Sequence, residues 1–303
     1  MPTDPRAVLR RSAPPPDGTV AYGSLPDQVI DIRLPALPAP VDPPAPVDPP
    51  APVDPPARGR PPADPARPPA DPALPLVVVV HGGFWRVVYD RAHTAPLASD
   101  LAARRWPVAT IEYRRTGQPG GGWPGTFDDV AAGVTRAPEA VDAVAATRGL
   151  PAPPPGPPIL LGHSAGGQLA LWYAATAPGR VAAVLALAPV ADLAQAYARK
   201  LDGGAVADLL GGGPDECPDR YAEADPIARL PLPVPVVILH GDRDTLVPIA
   251  LSRTYAAAAR EARSSVKLVE LAGVEHFALI DPQSTAWPSV TSALRSLSKI
   301  VLH

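Results

Sequence analysis

Short β-rich runs alternate with helix-length segments over most of this 303-residue chain. The aliphatic run at residues 76–80 is typical of a strand that is buried on both faces. Strands that alternate with helices favour right-handed βαβ units, so we expect a mostly parallel central sheet with helices on both faces. The predicted strands are residues 19–22, 29–34, 76–80, 108–113, 159–161, 181–187, 234–240 and 266–271, and the predicted helices are residues 128–147, 165–177, 249–262 and 284–302.

A proline-rich tract interrupts this pattern at residues 39–73, where three copies of APVDPP precede two of RPPADPA. Proline fixes φ and lacks the N–H that helices and sheets need, so we expect an extended insertion within a single domain of residues 1–303. The flanking strands, residues 29–34 and 76–80, are expected to be antiparallel neighbours, which would bring the two ends of the tract together. A tolerated surface loop is one interpretation, and a docking ligand for a proline-binding domain is the other.

Residues 192–230 also break the alternation, because they are rich in glycine, aspartate and proline. They predict a small cap-like excursion over the carboxyl edge of the sheet. The segment of residues 284–302 then closes the fold as its last predicted helix.

Charge and cysteine content exclude several classes of function. The net charge of −3 gives no electrostatic reason to expect a nucleic-acid binder. Cys217 is the only cysteine, which excludes an intrachain disulfide and a thiolate metal cluster. The histidines and carboxylates do not form a group with the spacing of metal ligands. The sequence has neither a signal-peptide core nor an apolar run near the roughly 20 residues that span a bilayer. We therefore expect a cytoplasmic protein without metal, cofactor, nucleic-acid or membrane partner, and its oligomeric state stays open.

An apolar run leads directly into Gly-x-Ser-x-Gly at residues 159–166, and a predicted helix follows. A serine on so sharp a turn has its hydroxyl lifted above the sheet at a helix N-terminus, where developing negative charge is stabilised. The flanking glycines let strand and helix approach closely. Ser164 is therefore a candidate nucleophile, and the alternative is a glycine-rich turn with an inert serine.

The sequence HGGFW at residues 81–85 directly follows the Val-rich strand. Acyl transfer passes through a tetrahedral oxyanion, which fixed N–H donors stabilise best in a dry site. Glycines just past a strand end let the backbone turn its N–H groups toward a nucleophile. The candidate donors are Gly83, Phe84 and Ala165, and the alternative is a Gly-Gly turn with Trp85 as core packing.

The loop HGDRDTLVP, which begins at the end of the predicted strand of residues 234–240, holds two aspartates. Asp242 is closer to the strand and is expected to brace the turn. Asp244 is further out in the loop, where its carboxylate could reach a histidine. Asp244 is therefore favoured over Asp242 as the acid of the site.

Six histidines are available to act as a base. His276 follows the last predicted strand, within GVEHF, and gives the chain order Ser, Asp, His. Its neighbour Phe277 is expected to pack against the imidazole. His163 is expected to point into the structure, and His81 and His240 to be structural histidines at strand ends.

Three aromatic side chains are candidates to shape substrate choice. They are Trp85, Trp123, which follows a Gly-Gly-Gly loop, and Tyr197. Ordinary core packing is the alternative for each of them, because large aromatic side chains are often buried.

The combination of HGGFW, GHSAGG, HGDRDTLVP and GVEHF resembles the α/β-hydrolase superfamily, in its esterase, peptidase and kynurenine formamidase branch. The resemblance covers the chain apart from the proline-rich tract, and it implies the α/β-hydrolase fold. It makes Ser164 the nucleophile, Asp244 the acid and His276 the base. It also implies a small ester or amide substrate that is cleaved through an acyl-enzyme without a cofactor.

Three functional hypotheses follow. The first is a serine hydrolase of carboxylic esters or amides, with a kynurenine formamidase-like arylformamidase as its narrower form. The second is a non-catalytic binding protein with a hydrolase fold, although such proteins usually lose a member of the triad. The third is a docking protein in which the proline-rich tract binds a partner and the folded domain serves as a scaffold.

Overall fold

A computed structural model describes residue 4, residues 6–36 and residues 73–302 of the chain. Except for Ala73, the proline-rich tract of residues 39–73 lies outside the described residues. Within the described ranges, eight strands form one sheet. They are β1 (Gly18–Ala21), β2 (Val29–Arg33), β3 (Val77–Val80), β4 (Val108–Ile111), β5 (Ile159–His163), β6 (Ala183–Leu187), β7 (Val236–Gly241) and β8 (Val266–Leu271).

Eight α-helices lie in the same ranges. They are α1 (Ala95–Ala103), α2 (Gly125–Thr147), α3 (Ala165–Thr176), α4 (Leu193–Ala198), α5 (Ala205–Leu210), α6 (Pro218–Ala224), α7 (Ala250–Glu261) and α8 (Trp287–Val301). No helix among these combines the length and the apolar character that are needed to cross a lipid bilayer.

The first and last residues of each strand lie within two positions of the ends of a predicted β-rich run. The predicted helices correspond to α2, α3, α7 and α8. The sequence analysis missed α1, since Pro96 interrupts its apolar pattern. Proline is nevertheless compatible with the first turn of a helix, where its missing N–H has no partner to lose, and Pro96 occupies that turn.

The strand order is β1-β2-β4-β3-β5-β6-β7-β8. β2 pairs antiparallel with β1 and β4, and the remaining pairs are parallel, so the expected mostly parallel sheet is confirmed. The expectation that β2 and β3 are neighbours is wrong, because β4 lies between them. The helical connection through α1 places β4 beside β3.

The sheet divides the core into two layers, because alternate side chains of a strand point to opposite faces. Val78 and Val80 belong to the layer that includes residues of α2, α3 and α7, whereas Val77 and Val79 belong to the layer that includes residues of α1 and α8. All four valines are at most 1% exposed. The expected placement of helices on both faces is therefore confirmed.

The excursion of residues 192–230 contains α4, α5 and α6. It contacts the loops that follow β3 and β4: Arg86 binds Asp202 and Asp208, and the Trp123 N–H donates to Leu209 O at 2.7 Å. Since these loops leave the carboxyl ends of parallel strands, the excursion lies along that edge of the sheet.

The described residues on either side of the proline-rich tract lie at the opposite edge. Arg33 at the end of β2 pairs with Val108, and Val108 pairs with Val77 at the start of β3. These three residues form one row across the sheet, so two strand spacings, or about 10 Å, separate the outer two. Ala36 and Ala73, the last described residues on either side, line one cavity of about 160 Å³.

Replacing residues 39–72 with a six-residue Gly-Ser linker is expected to leave the fold intact and the Tm unchanged or slightly higher. Six residues reach up to about 20 Å, which exceeds the distance across the row. Shortening the loop also lowers the entropy cost of closing it by about 1.5 kcal/mol. Thermal unfolding followed by circular dichroism measures the effect.

A variant with the same tract residues in scrambled order is the control for this deletion, because it keeps length and composition. A fall in Tm of more than a few degrees in the linker variant, with the scrambled variant unchanged, would show that the length of the tract supports the fold.

Candidate active site

Ser164 occupies the sharp turn between β5 and α3. Its backbone has φ 56° and ψ −119°, a conformation that non-glycine residues rarely adopt. The Ser164 N–H donates to Leu187 O of β6 at 2.8 Å, which attaches the turn to the sheet. The residue is only 2% exposed and stands at the N-terminus of α3, where the helix dipole stabilises negative charge.

Two glycines make this turn possible. A methyl group on Gly162 would lie 2.3 Å from Gly166 O, and one on Gly166 would lie 2.1 Å from Val80 O. Both neighbouring atoms are backbone atoms, which cannot move aside without separating β3, β5 and α3. The close approach of the three elements therefore requires glycine at both positions.

The loop of residues 81–85 lies against the serine turn. A methyl group on Gly82 would lie 3.0 Å from Ser164 Cβ. Within the described part of the chain, the N–H groups of Gly83, Phe84 and Ala165 donate no hydrogen bond. Three unpaired donors therefore lie in the two segments that meet at Ser164.

The buried carboxylate of Glu112 binds the first residue of the loop of residues 81–85. Glu112 accepts hydrogen bonds from His81 Nε2 at 2.8 Å and from the Arg91 N–H at 2.9 Å. Burial raises the pKa of Glu112, but the charge and hydrogen bond of His81 and the charge of Arg115 outweigh it and lower the pKa to about 2. The His81 ring also contacts Gly82 O through Nδ1 at 2.8 Å, which ties the start of the loop to the end of β4.

The Asp244 carboxylate contacts the imidazole of His276. His276 Nδ1 donates to Asp244 Oδ2 at 2.6 Å, and the other oxygen accepts from the N–H groups of Leu246 at 2.9 Å and Val247 at 2.8 Å. Because Nδ1 carries the proton in this contact, Nε2 of the neutral ring keeps a free electron pair.

A second histidine lies on the same carboxylate. His240 Nε2 is 3.3 Å from Asp244 Oδ2 and 2.9 Å from Val247 O, while its Nδ1 bonds to the Ser252 hydroxyl at 2.7 Å. Burial would raise the pKa of Asp244, but hydrogen bonds from His240 and His276 outweigh it and hold the pKa below its usual range. The carboxylate is thus kept ionised although its side chain is fully buried.

Asp242 has a different position. Its Oδ1 accepts from the Gly273 N–H at 2.7 Å, which joins the loop after β7 to the loop after β8. Asp242 thus joins two loops, and of the two aspartates it is Asp244 that contacts His276.

His163 and Phe277 enclose the His276 ring. The ring centroids lie 4.5 Å from His276 for His163 and 5.1 Å for Phe277. His163 Nε2 donates to His276 O at 3.2 Å, so the residue before Ser164 is joined directly to the turn that carries His276. Burial first, and then the charge of His276, lower the pKa of His163, which keeps the ring neutral beside its neighbour.

The three candidate aromatic side chains occupy different environments. Trp85 is fully buried, and its Nε1 donates to Gln168 Oε1 at 3.1 Å. Trp123 is partly buried and packs edge-on against Phe127, with the ring centroids 4.9 Å apart. Tyr197 is also partly buried, in the excursion of residues 192–230.

A cavity of about 220 Å³ opens beside His276. The loops after β7 and β8 line it together with the N-terminal residues Asp4 and Arg6. Within the described ranges, no cluster of three or more histidine, cysteine, aspartate or glutamate side chains could hold a metal ion.

Comparison with known proteins identifies the family. Residues 66–258, which are well over half of the chain, match the family model BD-FAE. The chain belongs to the BD-FAE family. Because this family is α/β-hydrolase-like, the chain is a member of the α/β-hydrolase superfamily, as the sequence motifs implied, and its solved neighbours share the fold.

The solved structures that are similar to this BD-FAE family member include esterases at low sequence identity. Esterase B from Lactobacillus rhamnosis, inhibited by a tributyrin phosphonate, has a TM-score of 0.68 and 16% identity over 98% of this chain and 91% of that one. A truncated carbohydrate esterase from gut microbiota has a TM-score of 0.66 and 18% identity over 94% of this chain and 95% of that one. The propionate-bound esterase Est2 from Thermogutta terrifontis has a TM-score of 0.60 and 17% identity over 94% of this chain and 93% of that one. No curated protein matches the chain.

The sequence analysis of this BD-FAE family member missed two side chains that build the site. Gln168 stands out in hindsight as a polar residue within the otherwise apolar segment AGGQLAL at the start of α3. Glu112 is a carboxylate that directly follows an aliphatic strand and is only 1% exposed. In both cases the signal in the sequence is a polar residue within or next to an apolar segment. Such a side chain is expected to be buried and therefore to need a hydrogen-bond partner.

Gly166→Ala is expected to lower the free energy of unfolding by about 3 kcal/mol or more, because the new methyl group overlaps a backbone oxygen. Gly133→Ala in α2 is the matched control, since its methyl group would meet the Ile111 side chain at 3.3 Å, which can shift slightly. Alanine favours a helix over glycine by about 1 kcal/mol, so this control should change stability little. Urea unfolding measures both variants, and equal effects would contradict the steric explanation.

Proposed function

We propose that the chain is a serine hydrolase that cleaves carboxylic esters of small acyl groups through Ser164, His276 and Asp244. The observation that carries the proposal is the 2.6 Å contact between His276 Nδ1 and Asp244 Oδ2. The His276 ring also packs against His163, the residue that precedes Ser164 on its strained turn. Membership of the BD-FAE family and the esterase neighbours support a hydrolase of ester substrates.

The proton arrangement favours this role for His276. The carboxylate fixes the tautomer with the proton on Nδ1, so that Nε2 can accept the proton of a serine hydroxyl. Within the described residues, the Ser164 hydroxyl makes no hydrogen bond. Catalytic hydrogen bonds often tighten only when substrate binds, and the Ser164–His276 contact is proposed to form at that stage.

The proposed reaction has two halves. Ser164 Oγ attacks the ester carbonyl while His276 Nε2 takes the hydroxyl proton, and the carbonyl oxygen becomes an oxyanion. As the C–O bond of the ester breaks, His276 returns that proton to the leaving alcohol, which leaves an acyl group on Ser164. Water then attacks the acyl-enzyme with the same proton transfers and releases the acid.

The oxyanion is proposed to bind the N–H groups of Gly83, Phe84 and Ala165. All three donors are unpaired among the described residues, and the loop that carries two of them touches Ser164. Such donors stabilise the transition state most when they are already fixed in a site that excludes water, and Ser164 is 2% exposed.

The solved neighbours also bear on the substrate class. One structural neighbour is described with bound propionate and another with a tributyrin phosphonate, which favours short acyl chains. The HGGFW sequence supports an arylformamidase as the second candidate. A panel of p-nitrophenyl acetate, butyrate and octanoate together with N-formylkynurenine separates the two.

Ser164→Ala is expected to lower kcat by a factor of about 10⁴–10⁶, because it removes the nucleophile. The same variant should lose labelling by a fluorophosphonate, with the Tm close to the wild-type value, because alanine keeps the Cβ and therefore the same backbone strain at φ 56°. Turnover above about a tenth of the wild-type value would exclude a covalent mechanism at Ser164. A wild-type protein that takes no label would favour a binding or docking role.

Asp244→Asn is expected to lower kcat by a factor of about 10²–10⁴, because the amide neither stabilises the imidazolium nor favours the required tautomer. Asp242→Asn is the matched control, since it lies in the same loop but contacts Gly273 instead of His276. It should lower stability without changing kcat more than about threefold. The reverse ranking would assign the acid to Asp242.

A further inference from the structure

Gln168 connects three parts of the site that are distant in sequence. It lies on α3, one turn after Ser164, and its N–H donates to Ser164 O at 3.2 Å. The residue has no exposed surface. A fully buried primary amide has to find partners for both its oxygen and its nitrogen, because leaving either unpaired is costly.

Both ends of the Gln168 amide are paired. Oε1 accepts from Trp85 Nε1 at 3.1 Å, and Nε2 donates to Ala224 O at 2.9 Å. An indole N–H can only donate and a carbonyl can only accept, so only one orientation of the amide satisfies both partners. The side chain therefore joins α3 to the loop of residues 81–85 and to α6 of the excursion.

Trp85 ends a strained stretch of backbone. Gly83, Phe84 and Trp85 have φ values of 113°, 48° and 57°, and the last two are not glycine. Such a conformation persists only when the surroundings hold it. The Trp85 carbonyl accepts from the Thr116 N–H at 2.7 Å and from its hydroxyl at 2.9 Å, and the indole is held by Gln168.

We propose that Gln168 is a positioning residue for the oxyanion donors, an inference that rests on the proposed function. It fixes the indole of Trp85, and thereby holds the preceding peptides of Gly83 and Phe84 in the strained conformation that turns their N–H groups toward the serine turn. Loss of this contact lets the loop relax and moves the donors away from the oxyanion.

The proposal predicts a loss that is specific to the transition state. Removing an oxyanion donor lowers kcat by about 10²–10³, and displacing donors should cause part of that loss. For Gln168→Met, which keeps the volume but loses both hydrogen bonds, we expect kcat to fall by about 10- to 100-fold, with KM within about threefold. Binding of a trifluoromethyl ketone, which forms a tetrahedral adduct with serine, should weaken by the same factor as kcat/KM.

Two further variants separate the contributions of the contacts. Trp85→Phe removes the indole donor and keeps an aromatic ring, so it should reproduce the fall in kcat, and adding Gln168→Met to it should lower kcat by less than about threefold more. Gln168→His should restore kcat to within about fivefold of the wild type, since a neutral imidazole has one acceptor and one donor.

Ser298→Ala is the matched control for an unpaired indole. Trp106 Nε1 donates to Ser298 Oγ at 3.1 Å in the buried layer on the other face of the sheet. This variant should lower the Tm as Gln168→Met does, yet leave kcat and ketone binding unchanged. The comparison separates a positioning role from a general loss of stability.

The experiment measures kcat, KM, ketone affinity and Tm for the wild type and these variants on p-nitrophenyl acetate. A wild type that does not hydrolyse esters would overturn the proposed function and this inference with it. An active wild type with kcat unchanged in Gln168→Met would overturn the inference alone. A fall in kcat without weaker ketone binding, or one that Ser298→Ala reproduces, would also overturn it.

Discussion

The contact of three backbone segments at the serine turn is the constraint on which the rest of the structure depends. Gly162 and Gly166 allow β5 and α3 to meet with no side chain between them, and Gly166 lies directly on the end of β3. The strained backbone conformation of Ser164 persists because the closely packed neighbouring segments hold the turn in place. The loops after β3, β4, β7 and β8 then reach the same edge, since parallel strands end there together.

The charge states of the buried groups at that edge follow from burial and from local hydrogen bonds, and not from the net charge of the chain. The Asp244 carboxylate has no exposed surface and stays ionised because two histidines and two backbone N–H groups share its two oxygens. His163 lies against the proposed base and is kept neutral by burial, so it adds no repulsion when the base becomes charged. The ionised carboxylate of Asp244 and the neutral ring of His163 therefore suit the proposed role of His276 as the base.

The sequence predicted the parts of the structure that depend on local pattern. Runs of β-branched residues located all eight strands, and spacing after a strand distinguished Asp244 from Asp242. The order of β2, β3 and β4 was not predictable, because periodicity says which face of a strand is buried but not which strand lies beside it. The roles of Gln168 and His240 were also missed, since their partners, Trp85 and Asp244, are identified only once the loops are placed in three dimensions.

The row formed by Arg33, Val108 and Val77 has a practical consequence. It places both ends of the insertion on the side of the sheet that faces away from Ser164. A surface anchor attached close to Ala36 or Ala73 would therefore lie at the edge opposite the serine turn and leave the approach to Ser164 open. The same geometry makes this the position at which a second domain could be inserted without crossing the path of a substrate.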